Sequence, residues 1–244
     1  MSALKDKVVL VIGGGTGIGS GIAQGMAEAG AKVVVSGRRS EPLKTFAAGV
    51  SSPHPILCKT SDVADRESVK AVFAFTEEKL GPVDIVCNSA GMNIPNRTMA
   101  AMEPEQWDEV VRINATGAYN VMRAALLSMR PRKTGLIINI SSIAGKRAIT
   151  LGGVVYCASK FAQTALGTAV ANEVRDEGVR ITNVYPGEVN TPLLEKRPAP
   201  VSEERKAAML QPEDFGALMV AIASLPPRAH VPEIVFKPTV QEWT

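Results

Sequence analysis

At 244 residues, with 45% hydrophobic and 21% charged content, the chain can bury a sizeable core as one α/β domain spanning 1–244. Its net charge of +3 is spread without a basic block, which argues against nucleic-acid or membrane-surface binding, and no apolar run approaches a membrane span. The three cysteines, Cys58, Cys87 and Cys157, fit neither a disulfide framework nor a zinc spacing, and His54 and His230 have no acidic cluster near them, so no metal is expected.

From Met1 the chain enters a glycine loop within about a dozen residues, which leaves no room for an apolar signal core, and a reducing cytoplasm is the expected location. The first predicted strand, Val8–Ile12, leads into that loop, Gly13 to Gly19, and then a helix. A mononucleotide loop needs Lys and then Ser or Thr after its last glycine, and here Ser20 and Gly21 follow Gly19. Three readings stay open at this point. Gly13, Gly15 and Gly17 satisfy the spacing of an S-adenosylmethionine loop, Gly13, Gly17 and Gly19 that of a dinucleotide loop, and a plain strand-to-helix turn would use glycines too.

The second predicted strand, Lys32–Ser36, ends in Gly37-Arg38-Arg39, and the third, Pro55–Cys58, leads to Ser61-Asp62-Val63. The fourth, Val83–Cys87, is followed by Asn88-Ser89-Ala90-Gly91 and by a long helix from about Pro104 that carries Asn114. The fifth, Leu136–Ile140, runs into Ser141-Ser142, and the helix after it opens with Tyr156-Cys157-Ala158-Ser159-Lys160. The sixth, Arg180–Val184, exits through Pro186-Gly187-Glu188-Val189-Asn190-Thr191, and the last is Ile234–Phe236. Buried parallel strands read as near-continuous apolar runs, so this alternation predicts a seven-stranded parallel sheet with helices on both faces, doubly wound in the Rossmann manner. Ligands bind at the carboxyl ends of such strands, where the quoted polar residues stand.

In that order and spacing these residues resemble the short-chain dehydrogenase/reductase family over nearly the whole chain. The resemblance implies an NAD(P)-dependent oxidoreductase that interconverts an alcohol and a ketone or aldehyde by hydride transfer. Tyr156 is then the general acid/base on the substrate oxygen, Ser142 hydrogen-bonds that oxygen, and Lys160 lowers the tyrosine pKa and holds the nicotinamide ribose. Asn114 keeps a water against Lys160. The resemblance assigns the cofactor to Gly13, Gly15, Thr16, Gly17, Ile18 and Gly19 of the first loop, with Arg38, Asp62 and Val63 on the adenosine side. Asn88, Ala90 and Gly91 follow the fourth strand, and Pro186, Gly187, Val189 and Thr191 follow the sixth, with Tyr156 and Lys160 completing the set.

The residues support that chemistry on their own terms. Tyr156 and Lys160 are four apart, which puts them on one helix face about 5–6 Å apart at Cβ. Lowering a tyrosine pKa by roughly three units takes about 4 kcal/mol, which one ammonium at about 4 Å supplies at an effective dielectric near 20. A serine-hydrolase role for Ser142 fails because no G-x-S-x-G surrounds it. A methyltransferase asks for an acidic residue where Gly37 and Arg38 stand and leaves Tyr156 and Lys160 without roles. A non-catalytic dinucleotide-binding regulator would be expected to have lost catalytic residues, and none of the four is lost.

Departures from the family pattern carry their own expectations. Ile12 and Ser89 replace the usual Thr and second Asn, which removes a polar contact between the first and fourth loops. The interval from Ser142 to Tyr156 is about one residue long, and the extra residue is expected in the Lys146–Gly153 loop. Met92, Ile94, Ile149, Leu151, Leu193 and Leu194 suggest an apolar pocket wall, and Arg147 leaves room for a carboxylate-bearing substrate. The segment near 190–210, with Pro198, Pro200 and a charged run, is the expected lid. The ending Pro238-Thr239-Val240-Gln241 resembles the branch with 3-hydroxy acid and serine dehydrogenases. The nearly uncharged runs Ile113–Met129 and Phe161–Asn172 imply a homodimer or homotetramer. Gly37 followed by Arg38 and Arg39 favours NADP(H), with NAD(H) as the alternative cofactor.

Overall fold

The computed structural model describes residues 3–242. Seven strands form one sheet: β1 (Val8–Ile12), β2 (Lys32–Gly37), β3 (Leu57–Thr60), β4 (Ile85–Asn88), β5 (Gly135–Ile140), β6 (Val179–Pro186) and β7 (Glu233–Phe236). Their order is β3-β2-β1-β4-β5-β6-β7 and every pairing is parallel. Eight α-helices accompany them among the described residues: α1 (Gly17–Glu28), α2 (Ser40–Gly49), α3 (Arg66–Leu80), α4 (Pro104–Val111), α5 (Gly117–Met129), α6 (Val154–Glu173), α7 (Glu203–Ala207) and α8 (Pro212–Ala223). None of these helices is long and apolar enough to cross a membrane.

The apolar runs explain this layering. Successive strand residues face opposite sides of a sheet, so a strand covered on both faces must be apolar at every position. In β1, Val9 and Val11 join a core that includes Ile22 and Met26 of α1 and Phe215 and Met219 of α8. Val8, Leu10 and Ile12 join a second core with Val69, Val72 and Phe73 of α3 and Val121 and Met122 of α5. Each side chain so buried contributes about 1.5–3 kcal/mol, which makes the sheet the rigid platform for everything at its carboxyl edge.

Several strand bounds shift by one or two residues, those of β4 and β6 among them, and two differences from the sequence reading have a plain physical cause. The third strand was expected at Pro55–Cys58 and lies at Leu57–Thr60, because β3 pairs with Val34–Gly37 and Pro55 has no N–H to give to a ladder. The expected long helix from Pro104 is broken by a π-helical turn, Arg112–Thr116, between α4 and α5. That wide turn carries Asn114. A π-bulge turns a side chain that a regular helix would aim elsewhere, and its extra residue leaves the apolar pattern readable as one helix.

The sheet order reverses between β1 and β4, the switch point where a doubly wound sheet opens a crevice. Ile12 pairs with Asn88 and Asn88 with Asn139, so the loops after β1, β4 and β5 leave the sheet side by side.

Candidate active site

The floor of the crevice is built by close backbone approach. Gly13 has φ +78°, and a Cβ there would lie 2.8 Å from the Ala90 nitrogen and the Ser89 carbonyl carbon, so only glycine allows the first loop to meet the fourth. With Ile12 and Ser89 in place of the polar pair, the backbone still ties the loops: Ser89 N–H donates to the Ile12 carbonyl at 2.9 Å. Thr16 precedes α1 without capping it through its side chain, and no acidic residue occupies the first turn. The positive end of that helix therefore keeps its capacity for an anion. Beneath it the Asn88 Oδ1 atom is buried without a hydrogen-bond partner, a polar atom left for a ligand to satisfy.

The side expected to take the adenosine is formed where β2 and β3 end together. Ser36 Oγ lies 2.7 Å from Ser61 Oγ and donates to the Lys59 carbonyl, which locks the two strand ends. Asp62 accepts from Ala64 N–H at 2.9 Å, and the Val63 carbonyl accepts from Asn120 Nδ2 at 2.8 Å. Arg38 and Arg39 are exposed, and neither pairs with a carboxylate among the described residues. Past β6, Gly187 N–H donates to the Phe236 carbonyl at 2.8 Å, and Val189 pairs with Leu210. Ile18, Pro186, Gly187, Val189 and Thr191 all line one cavity of about 140 Å³. The residues expected to hold a dinucleotide thus surround the carboxyl edge of the sheet, and their glycine cradle, bare helix end and orphaned Asn88 Oδ1 fit one.

At the reacting end Tyr156 and Ser142 line the same cavity. Ser142 Oγ accepts from Ala144 N–H at 3.1 Å. Burial pushes the Tyr156 phenol above its ordinary value, while the Ser142 hydroxyl and the Arg97 charge act the other way. Lys160 is 4% exposed, and burial brings its pKa down to about 7. Its ammonium lies 5.7 Å from the Tyr156 ring centre and donates to the Ile140 carbonyl at 3.0 Å and to Gln163 Oε1 at 2.7 Å. Burial of Lys160 thus disfavours its charged form.

Asn114 is equally committed. Its Oδ1 accepts from Met92 N–H at 2.8 Å, and its Nδ2 donates to the Met92 carbonyl at 2.9 Å and to Ser159 Oγ at 3.0 Å. The side chain fixes the loop after β4 to α6. These contacts position the loop after β4 against the helix that carries Lys160.

The buried lysine has a measurable consequence. A lysine that titrates near 7 when folded and 10.5 when free has a depressed folded pKa, so the unfolded chain binds the extra proton between those values. Stability from this group is present above about 10.5 and is lost as pH falls toward 7. Between pH 7 and 9 the cofactor-free protein should gain about 2 kcal/mol from Lys160 alone. Urea unfolding of wild type and of Lys160→Met at the two pH values checks this, and identical pH dependences would overturn the buried neutral lysine.

The cavity wall only partly matches the expected one. Ile149, Leu151, Leu193 and Leu194 line it, and so does Gly152 of the 146–153 loop. Ile94 and Met92 belong instead to the core around Val110 and Val155, because the loop after β4 folds under α4. Arg147 is exposed and outside the lining. The charged lining residues are Arg97, Glu188 and Arg197, none of which the sequence singled out as site residues. Asn93 and Gln241 were missed too: Asn93 Nδ2 donates to the Gly152 carbonyl at 3.0 Å, and Gln241 Oε1 accepts from Glu188 N–H at 2.8 Å. The Pro-Thr-x-Gln ending was the available signal for Gln241, while Trp243 and Thr244 lie outside the described residues.

A family model described as short chain dehydrogenase matches residues 7–201. The chain belongs to the short-chain dehydrogenase family. An uncharacterized oxidoreductase from Listeria monocytogenes is 32% identical to this short-chain dehydrogenase over 98% of the present chain and 99% of its own. Among solved structures, the closed form of a serine dehydrogenase complexed with NADP+ superposes with a TM-score of 0.86 at 26% identity, covering 97% of this chain and 96% of that one. An alcohol dehydrogenase from the archaeon Thermococcus sibiricus, complexed with 5-hydroxy-NADP, gives 0.85 at 25% identity, covering 98% and 99%. This short-chain dehydrogenase is thus an oxidoreductase by family and Rossmann-type by fold.

Proposed function

We propose that this short-chain dehydrogenase interconverts an alcohol and a ketone or aldehyde with NADP(H) in preference to NAD(H). The observation that carries the reading is that Tyr156 and Ser142 line one cavity, with Lys160 one helical turn from the tyrosine. Bound NADP(H) supplies or takes up the hydride. In reduction, Tyr156 Oη gives its proton to the carbonyl oxygen while the Ser142 hydroxyl donates to the same atom, so hydride plus proton yields the alcohol. Burial keeps the phenol protonated at neutral pH, as a proton donor requires. Lys160, with a pKa of about 7, holds a proton at Nζ for the tyrosine and gives its remaining hydrogen-bonding capacity to the ribose. The NADP-bound neighbours support the cofactor, and the serine and alcohol dehydrogenases among them support the alcohol/carbonyl class.

The 190–210 segment acts as lid. Its base is closed by Asn190 N–H donating to the Leu210 carbonyl at 2.8 Å and by Leu210 N–H donating to the Glu188 carbonyl, so it can move as a flap on a fixed root. Tyr119 and Leu127 on α5 and Phe161 on α6 are exposed, which supports self-association as a homodimer or homotetramer through those helices. The functional test follows absorbance at the nicotinamide band with NADPH and a panel of aldehydes and ketones, and with NADP+ and hydroxy acids and alcohols. Turnover of at least one carbonyl compound is the expected result. Cofactor binding without turnover across the panel would replace the enzyme by a dinucleotide-binding regulator.

A further inference from the structure

The cavity beside Tyr156 carries one cation that no carboxylate among the described residues neutralises. Among those residues Glu188 is the only acidic one in its lining, and its carboxylate is already shared between Arg197, at 2.9 Å, and Arg205. Arg97 pairs with no carboxylate among the described residues. Its guanidinium is held by three carbonyls: Nε donates to Ile94 at 3.1 Å, Nη2 to Lys196 at 2.9 Å, and Nη1 to Leu151. A guanidinium has five N–H donors, so two remain. Burial and the neighbouring Arg197 both press on the charge, yet an arginine stays protonated at any working pH.

Its position is built into the backbone. Gly153, with φ +79°, starts α6, and a Cβ there would sit 2.5 Å from the Arg97 Cβ. That glycine lets the Arg97 segment lie against the helix start, where the Arg97 carbonyl accepts from Val154 N–H at 3.0 Å, two residues before Tyr156. The three carbonyls come from the loop after β4, the lengthened 146–153 loop and the 190–210 segment. The cation is therefore oriented by three of the segments that wall the cavity, before any ligand enters.

We propose that Arg97 is an anion subsite of the substrate pocket, so that the substrates are hydroxy acids and the corresponding oxo acids, bound by their carboxylate. The assignment rests on the alcohol/carbonyl reading above and deepens it. A planar guanidinium with one donor left on each terminal nitrogen matches a carboxylate, and such charge-assisted bonds in a partly desolvated site correspond to about tenfold to a hundredfold in binding. Arg197, tied to Glu188, adds field without being the ligand.

The experiment compares kcat/KM with NADPH for 2-oxobutanoate and 3-oxobutanoate, each against its own methyl ester, in wild type and Arg97→Gln. It adds the thermal midpoint of NADP+-saturated protein with malonate, against chloride at equal ionic strength. Expected in wild type are a preference of at least tenfold for one acid over its ester, an acid rate that falls with salt while the ester rate does not, and a midpoint raised by malonate. In Arg97→Gln the acid preference and the malonate shift should be lost, with the acid rate falling at least tenfold more than the ester rate. Ester turnover without acid preference in wild type would overturn the subsite and leave the reductase reading standing. No turnover of any compound, with a malonate shift that depends on Arg97, would keep the subsite and remove the reductase reading. Equal losses for acid and ester in Arg97→Gln with the malonate shift intact would make Arg97 a loop anchor only and overturn the proposal. Because the wild-type ratio, its salt dependence and the malonate shift need no variant, an insoluble Arg97→Gln leaves the subsite decidable.

Discussion

Tyr156→Phe is expected to lower turnover by roughly a hundredfold to ten-thousandfold while leaving cofactor affinity within about twofold. The substitution keeps the ring, and with it the packing against the N-terminal turns of α6, and removes only the hydroxyl that faces Ser142. Ser142 keeps its partner, the Ala144 N–H, so the floor of the cavity retains its shape. The proton then has no donor at the substrate oxygen. Lys160 cannot replace it, since its ammonium is directed to the Ile140 carbonyl and Gln163 and lies 5.7 Å from the ring centre. Single-turnover measurement at saturating NADPH, with cofactor affinity read from nicotinamide fluorescence, separates the proton step from binding. Near-normal turnover in the variant would remove Tyr156 from the role.

What could be read before folding, and what could not, follows from how far apart the interacting residues are. Strands buried on both faces are mostly apolar, so β1 and β5 were visible as runs such as Leu136-Ile137-Ile138, and the polar residues at and just beyond the strand ends marked the carboxyl edge. Tyr156 and Lys160 share one helical face, and that spacing is local. Arg97, Leu151, Lys196 and Glu188 have no such periodicity; they meet only because the lengthened loop and the 190–210 segment close over α6. Arg147 attracted notice through its nearness in sequence to Ser142, yet the three-residue turn Ile143–Gly145 carries it outward. The lowered pKa of Lys160 was equally hidden, because it comes from burial among Ile140, Gln163 and the loop after β4. Asn114 was found by its place in the family order, while its contacts depended on a π turn that the pattern of apolar residues does not reveal.

The second large effect is expected at the adenosine end, where wild type should show a kcat/KM about tenfold to a hundredfold higher with NADPH than with NADH. A sheet that selects NAD(H) places a carboxylate at the end of its second strand, where it accepts from both ribose hydroxyls and repels a 2′-phosphate. Here β2 ends in Gly37, followed by Arg38 and Arg39, both exposed and without a carboxylate partner among the described residues. Each charge-assisted bond from such a fork to a phosphate is worth roughly 1.5–3 kcal/mol, and solvent exposure holds the total near the value of one such bond. Gly37 has room for the opposite choice: a Cβ there would meet only Leu43 Cδ2, at 3.9 Å. Gly37→Asp combined with Arg38→Ala should therefore fold normally and move the NADPH/NADH ratio by about a hundredfold or more, since it removes one attractive contact and adds a repulsive one. Cofactor concentration series for both proteins at one ionic strength measure the ratio. A wild-type kcat/KM higher with NADH than with NADPH would overturn the phosphate-binding role of Arg38. A double variant with an unchanged ratio would do the same, because the introduced carboxylate would then lie out of reach of the ribose and the arginine out of reach of the phosphate.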